Sequence, residues 1–464
     1  MQSWDDDTYK NADTEDELTS RLEDEGYDEF TNNNEIASTI NPSNTPRSKL
    51  VSSVHTIESN KLISPYGTSS GNISLNQVIT FTENVFCIRT TPDHTLWAVG
   101  LQNGNINFYS TDNVENSYLV NNLKASSETY PVTHMEFMTF EKQGANETKH
   151  FLLASYASGF IRLWHYTSAN IRSRLIREWK EYFFTSTKDP KQTETKLNQI
   201  LCLSISGDSQ RFVTGGDDCI IKVYEITSRT VARYLHKGET HTLQTGRASD
   251  AVLNADFHTL RITAIKYHPL GKTDAKYTHI FISASWDNTI QIWDDRKLGS
   301  LWQYLGPHVC GADGIDIDPF TNTIISCSWK REKAVLQVWK FNEYVLNASP
   351  IDGRALYGQF SVPTAEYYQD TSNIPSQGYV TQYIMGGQYI MYGGSNHNVF
   401  RIVESSNFIP LGAMFNIKSA VISASISINT DKRKVKVAIA SAKQLLIFNV
   451  DLKINAARKS SNLS

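Results

Sequence analysis

An all-β protein assembled from about seven copies of one short-stranded unit, behind an acidic tail, is the architecture this sequence predicts. Three observations carry it. Beyond residue 75 the chain runs in short apolar and β-branched stretches bounded by Gly, Asn and Asp, without helix-length periodicity. One pattern, Phe281 to Asp294, recurs along the chain at irregular intervals. Before residue 60 the composition changes abruptly to acidic and then polar.

The N-terminal segment is read from its charge. Residues 1–30 hold 12 acidic residues against Lys10 and Arg21, a net charge of −10, which leaves 42 basic and 36 acidic residues for 31–464. A surplus of +6 spread so widely does not point to nucleic acid. Thr31 to Asn60 is rich in Asn, Ser, Thr and Pro and cannot bury enough apolar surface to offset the entropy of folding. The expected organisation is a disordered acidic and polar tail over 1–60, one folded unit over 61–452 and a short flexible tail over 453–464. Leu18, Leu22 and the stretch Gly26-Tyr27-Asp28-Glu29-Phe30 suit a segment that folds on a basic partner, and Thr14-Glu15-Asp16-Glu17 suits an acidophilic kinase.

Composition narrows the class. Hydrophobic residues at 40% and aromatics at 11% are ample for a sizeable core. No apolar run of about 18 residues occurs, and Met-Gln-Ser-Trp-Asp-Asp-Asp is no signal peptide. The expectation is an intracellular protein, cytoplasm favoured over nucleus, without membrane insertion. Cys87, Cys202, Cys219, Cys310 and Cys327 are odd in number and lack zinc-ligand spacing, so they are read as reduced thiols, with no metal and no cofactor. The sequons at Asn72 and Asn347 then carry no glycan.

The repeat is clearest as Phe281-Ile282-Ser283-Ala284-Ser285-Trp286-Asp287-Asn288-Thr289-Ile290-Gln291-Ile292-Trp293-Asp294, an apolar strand, a tight polar turn and a strand ending in an aromatic. Other copies run from Leu96 to Tyr109, Phe151 to Trp164, Arg211 to Tyr224, Ile324 to Trp339, Tyr389 to Ile402 and Val437 to Phe448. Their closing residues stand 55, 60, 69, 46, 63 and 46 positions apart, so several links carry insertions.

These features resemble the WD-repeat, β-transducin-like family over residues 76 to 450, and Trp293-Asp294 is the signature dipeptide. The resemblance implies a single β-propeller of about seven four-stranded blades, sealed by a strand from the opposite terminus. Gln77-Val78-Ile79-Thr80-Phe81 is the expected sealing strand of the last blade. It further implies a hydrogen-bonded tetrad, for which His258, Ser283, Asp287 and Trp293 stand at the matching positions. The blade ending at Tyr224 keeps Thr214 and Asp218 without the His. The one ending at Trp339 keeps His308 and Ser326 with three extra residues in its turn. Asn103 and Ser158 replace the turn Asp in the first two blades, and the first, sixth and seventh copies are degenerate.

Alternative chemistry is weighed against these structural roles. His258, Asp287 and Ser283 match a hydrolase triad in type, yet no Gly-x-Ser-x-Gly elbow surrounds Ser283 and the repeat accounts for all three. Phosphate loops, dinucleotide fingerprints and His-Glu-x-x-His are absent from the sequence, and Gly215-Gly216, Gly386-Gly387 and Gly393-Gly394 fall at strand ends and turns. The run Lys432-Arg433-Lys434-Val435-Lys436 reads as a solvated hairpin rather than a phosphate site.

The resemblance implies partner contact through the propeller's top face, at the residue before each turn Asp and at the start of each inner strand. Trp286, Trp329 and Asp217 belong to the first group, and Phe86, His134, Leu201, Arg261, Thr263 and Asp313 to the second. Trp and Arg dominate interface energetics, which singles out Trp286 and Trp329 beside Arg261. The expected function is a non-enzymatic scaffold for protein–protein interaction within a multiprotein complex. The alternative is a substrate-recognition adaptor reading a peptide or modified tail for a ubiquitin ligase or chromatin-modifying complex. A hidden enzyme is the third and weakest class.

Overall fold

The computed structural model describes residues 49–51, 61–111, 117–125, 127–141, 148–166, 173–183, 196–235, 257–346, 362–368, 376–396, 398–429 and 434–452. Of the tail expected over 1–60, residues 1–48 and 52–60 lie outside these residues, as does the expected tail over 453–464. The described residues form 31 strands and two single-turn 3-10 segments, Pro269–Lys272 and Glu343–Leu346. None of their helices is long and apolar enough to cross a membrane.

Seven sheets of at least four strands follow one another along the chain. Preceding the repeats are β1 (Lys49–Val51), β2 (Leu62–Ser64), β3 (Gly67–Gly71) and β4 (Ile73–Thr80). Blade 1 is β5–β8 (Val85–Thr90, Leu96–Leu101, Ile106–Ser110, Leu119–Leu123) and blade 2 is β9–β12 (Val132–Glu141, Thr148–Tyr156, Phe160–Tyr166, Arg174–Lys180). Blade 3 is β13–β16 (Ile200–Ile205, Arg211–Gly216, Ile221–Glu225, Val231–Leu235) and blade 4 is β17–β20 (Ile262–Tyr267, Ile280–Ser285, Thr289–Asp294, Trp302–Leu305). Blade 5 is β21–β24 (Ile315–Asp318, Thr323–Cys327, Leu336–Lys340, Ala365–Tyr368) and blade 6 is β25–β28 (Gln377–Ile384, Tyr389–Ser395, Phe400–Glu404, Pro410–Phe415). Blade 7 is β29–β31 (Val421–Asn429, Lys434–Ser441, Gln444–Val450), completed by β4. The seven-bladed β-propeller expected from the repeat is the fold.

The inner strands touch in cyclic order, β5 to β9, β13, β17, β21, β25, β29 and back to β5. Closure is made by β4, whose register on β31 runs from Thr80 opposite Gln444 to Ile73 opposite Val450. The Phe81 N–H extends this ladder to the Lys443 carbonyl, 2.8 Å. The sealing strand thus includes the anticipated Gln77–Phe81 stretch and begins four residues earlier. The Gln77 side chain also brackets Ser117 beside blade 1, accepting from its N–H at 2.6 Å and donating to its carbonyl at 3.0 Å.

Two additions were not legible beforehand. Strand β3 pairs with β28 and β2 with β3, which extends blade 6 outward. Strand β1 lies parallel on β24, Lys49 opposite Glu366, although it falls within the segment expected to be a tail. These strands are three to five residues long, and Gly67-Thr68-Ser69-Ser70-Gly71 has no apolar alternation to betray it.

The core is seven blade-to-blade interfaces. One apolar cluster joins each adjacent pair, from Val85, Trp97, Leu445 and Ile447 between blades 7 and 1 to Met391, Phe400, Ile439 and Phe448 between blades 6 and 7. Because both faces of most sheets are covered, the second and third strands are buried along nearly their whole length, as in Ile280–Ser285 and Thr289–Asp294. Close approach, to the next blade at Gly215 and to the inner strand of its own blade at Gly394, explains the paired glycines. A Cβ on Gly215 would lie 2.6 Å from Ile262 Cγ2, and one on Gly394 1.7 Å from the Gln377 carbonyl oxygen.

Register corrects the sixth repeat. Gly393 pairs with Phe400 as Ala284 pairs with Ile290, so Val403, not Ile402, occupies the place of Trp293. Without an aromatic to mark the position, two adjacent β-branched residues fit the pattern equally well.

Candidate interaction site

In blade 4 the repeat residues converge on one relay. His258 Nδ1 lies 2.9 Å from Asp287 Oδ2 and Nε2 lies 2.6 Å from Ser283 Oγ, while Trp293 Nε1 donates to Ser283 Oγ at 2.7 Å. The indole can only donate and the carboxylate can only accept, so the chain runs from Trp293 through Ser283 Oγ and the His258 ring to Asp287. Burial alone would raise the Asp287 carboxyl, but His258, the Thr289 hydroxyl and the Thr259 N–H hold it below the usual carboxylate range. The arrangement copies the distances of a catalytic triad. Ser283 has no exposed surface and its oxygen already accepts from the indole, so no substrate carbonyl can reach it. The relay therefore holds the turn Asp287–Thr289 between two strands.

Other blades solve the same problem with charge. In blade 3, Glu181 accepts from Thr214 Oγ1 at 2.7 Å, Tyr224 OH at 3.0 Å, Asn198 Nδ2 at 2.6 Å and Lys222 Nζ at 2.8 Å. Lys222 also meets Asp218, 2.5 Å away, and all three charged side chains are essentially unexposed. In blade 2, Glu128 meets Arg162 and accepts from Ser158 Oγ at 2.8 Å, while Arg162 Nε donates to Glu178 at 2.7 Å. Glu181 and Glu128 take the place of the missing His. Arg162 and Lys222 stand two residues before Trp164 and Tyr224, where blade 4 has Gln291 before Trp293. An acid in the link and a cation two residues before the closing aromatic would have revealed these networks in the sequence. In blade 5, Ser326 accepts from Trp339 Nε1 at 2.9 Å, but His308 faces Asn288 of blade 4 at 2.5 Å, so the tetrad read there from His308 and Ser326 is not assembled.

The top face carries the turns between second and third strands and the links between blades. One backbone bond recurs on it: the N–H of the residue before the turn donates to the link carbonyl, as in Trp286 to Arg261 at 3.2 Å, Trp329 to His308 at 3.1 Å and Asp217 to Gln199 at 3.2 Å. Trp286 and Trp329 therefore sit at equivalent places on adjacent blades, both half-buried. The Arg261 guanidinium stands 4.4 Å from the Trp286 ring centroid, and its Nε lies 3.6 Å from Asp217 Oδ1, too far for a hydrogen bond. At 42% side-chain exposure Arg261 remains open to solvent, and Leu260 beside it is also exposed.

The remaining residues expected on this face divide. Phe86, Leu201, Thr263 and Asp313 occupy the equivalent position of their inner strands, a β-bulge in blades 1, 3 and 4. Phe86 is exposed and Leu201 half-buried, but they lie on blades 1 and 3, away from Trp329 on blade 5. Thr263 is buried and its hydroxyl donates to the Val309 carbonyl at 3.0 Å, so its contact is internal. His134 and Asp313 are also turned inward. Arg89 of blade 1 grips the Asp313 carboxylate of blade 5 with both terminal nitrogens and touches His134 Nε2 of blade 2, while Ser423 of blade 7 donates to Asp313 at 2.5 Å. Blades 1 and 5 are not neighbours, so these contacts cross the central channel. Burial works against the Asp313 charge, but Arg89 and His134 hold its carboxyl well below the usual range. The network pins inner strands together and leaves neither residue free for a partner.

Neither thiols nor metal-type clusters add a second centre among the described residues. All five cysteines are free, and burial pushes the Cys87 thiol up to about 12. His279, Asp294 and Asp295 lie close together, but Asp295 already binds His279, Arg211 and Tyr267 and Asp294 binds Arg296. Lys436, from the basic run, is buried and donates to the Thr111 carbonyl at 3.0 Å, while Lys432 and Arg433 lie outside the described residues.

A closed ring of seven blades, locked by a His–Ser–Asp–Trp relay and presenting a face of short turns, defines a rigid propeller. The family model described as WD domain, G-beta repeat matches residues 191–225 and 252–294, and these repeats within seven four-stranded blades support a WD-repeat β-propeller. The matched stretches end in blades 3 and 4, which keep both the turn aspartate and the small hydroxyl residue, Asp218 with Thr214 and Asp287 with Ser283. No curated protein sequence matches the chain significantly. WD-repeat propellers generally serve as protein-interaction scaffolds.

Proposed function

We propose that this protein is a non-enzymatic intracellular scaffold, cytoplasmic in preference to nuclear, that holds protein partners within a multiprotein complex on its top face. The observation that carries this reading is the pair of half-buried indoles, Trp286 under the exposed Arg261 and Trp329 one blade on, each fixed by a main-chain bond. Aromatic side chains lose little entropy when covered and bury large areas, so rigidly presented indoles are efficient anchors. The ring supplies the rigidity, because every blade is tied to two neighbours through an apolar interface. Binding through the acidic segment 1–30 is the rival reading, and an adaptor role for a ubiquitin ligase or chromatin-modifying complex is the alternative within the same class.

Affinity purification of the full chain with quantitative mass spectrometry tests this. Trp286→Ala and Trp329→Ala should each deplete the same stoichiometric partners, and His258→Ala should deplete them only in proportion to lost folded protein. Normal recovery by both Trp variants, with loss on deletion of residues 1–30, would transfer the function to the tail. Recovery of ligase or chromatin-modifying subunits would favour the adaptor.

A further inference from the structure

Exposed charge gathers where the indoles are. The turn from Ser328 to Val335 in blade 5 is internally bonded, Ser328 N–H to the Val335 carbonyl at 3.1 Å and Lys333 N–H to the Lys330 carbonyl at 3.2 Å, so it projects as an ordered unit. Its tip presents Lys330, Arg331, Glu332 and Lys333, all exposed, and none is ion-paired among the described residues. The field of this turn is felt by its neighbours. Burial lowers His308 to about 4 with the help of Lys330 and Lys333. Arg331 acts across to Tyr379 on blade 6. Arg261 adds a further cation over Trp286 on blade 4. Two adjacent blades, 4 and 5, thus place positive groups around half-buried aromatic surface.

We propose that the top face over blades 4 and 5 takes an extended acidic peptide segment, with one apolar residue seated against Trp329 and Trp286 and flanking carboxylates on Lys330, Arg331, Lys333 and Arg261. The inference rests on the top-face reading above and names the chemistry of its partner. Carboxylates on these cations supply orientation and encounter rate, and the apolar residue supplies the desolvated anchor. A polynucleotide fits less well. Phosphate binding draws on long tracks of cations, typically about six to ten contacts, whereas here the charge is confined and interrupted by Glu332 and Asp217.

Fluorescence anisotropy on the full-length protein decides it. The probes are a labelled dodecapeptide of Asp and Glu with a central Phe, its Asn/Gln and Lys counterparts, and a single-stranded dodecanucleotide. The acidic peptide should bind at least about tenfold tighter than the amide peptide, with the preference shrinking as salt shortens the Debye length. The triple variant Lys330→Glu/Arg331→Glu/Lys333→Glu should lose the preference, while Trp329→Ala should weaken both peptides alike. Equal binding of acidic and amide peptides, an unchanged triple variant, or tighter binding of the oligonucleotide overturns the proposal. Failure here with partner loss by the Trp variants leaves the scaffold reading intact, whereas normal partner recovery by those variants rejects that reading whatever the peptides do.

Discussion

Removing the sealing strand should cost the protein its cooperative fold. Deletion through Phe81 strips β4 and with it Ile73, buried against blade 6, and Leu75, Val78, Ile79 and Phe81, partly buried on both sides of blade 7. At about 2.5 kcal/mol for the buried side chain and about 1.2 for each partly buried one, the apolar loss is roughly 7 kcal/mol. That is comparable with the whole stability of an ordinary domain, about 5–15 kcal/mol. The deletion also exposes the edge of β31 along its full length. Of the described residues, deletion through Asn60 removes the three-residue β1 from the edge of blade 5. Thermal unfolding followed by near-ultraviolet circular dichroism should therefore show one sharp transition for the protein lacking 1–60 and none for that lacking 1–81. Equally sharp transitions from both would refute closure by β4.

Three further outcomes follow from the buried networks. Ser283→Ala leaves His258 Nε2 and Trp293 Nε1 buried without partners, and should lower stability in urea titration by about 3 kcal/mol. An effect below about 0.5 kcal/mol would discount the relay. Glu128→Ala leaves the buried Arg162 guanidinium on the half-exposed Glu178 alone and should cost about 3 kcal/mol, with Glu128→Ala/Arg162→Met recovering much of it; failure of the double variant to recover would contradict the pairing. Acid should destabilise the protein earlier than its carboxylates titrate. The folded His308 is held near 4 and His134 is also lowered, whereas unfolded histidine binds its proton at 6.5, so stability is full above 6.5 and falls as pH drops towards 4. Asp287 and Asp313 contribute above their ordinary value of 3.8 and lose that contribution only below it. A melting temperature that is flat from pH 7.5 to about 4.5 would contradict the histidine assignment.

Legibility in the sequence tracked how local the determining contacts are. Blade 4 could be read because Ser283, Asp287 and Trp293 fall within one hairpin and His258, ahead of the inner strand, keeps the residue type that the resemblance implies. The networks of blades 2 and 3 were hidden because Glu128 and Glu181 stand where the resemblance implies a His, and their cations Arg162 and Lys222 come from the third strand. The top-face selection placed Thr263 and Asp313 at the same strand position as Phe86 and Leu201, as the family resemblance implies. Whether such a side chain meets solvent depends on residues far away in sequence, Arg89 and Ser423 for Asp313 and the Val309 carbonyl for Thr263. Short edge strands such as β1 and β2 carry too few residues for any periodicity to register.

Partner contact at the top face over blades 4 and 5 is tested by hydrogen–deuterium exchange of the full-length protein with and without its co-purified partner. Exchange reports burial segment by segment and does not depend on a variant folding. Protection should appear over 257–261, 286–288 and 328–335, the segments that carry Arg261, Trp286 and Trp329. Protection confined to the opposite turns at 206–210, 268–279 and 319–322, or to residues 1–30, would contradict the account.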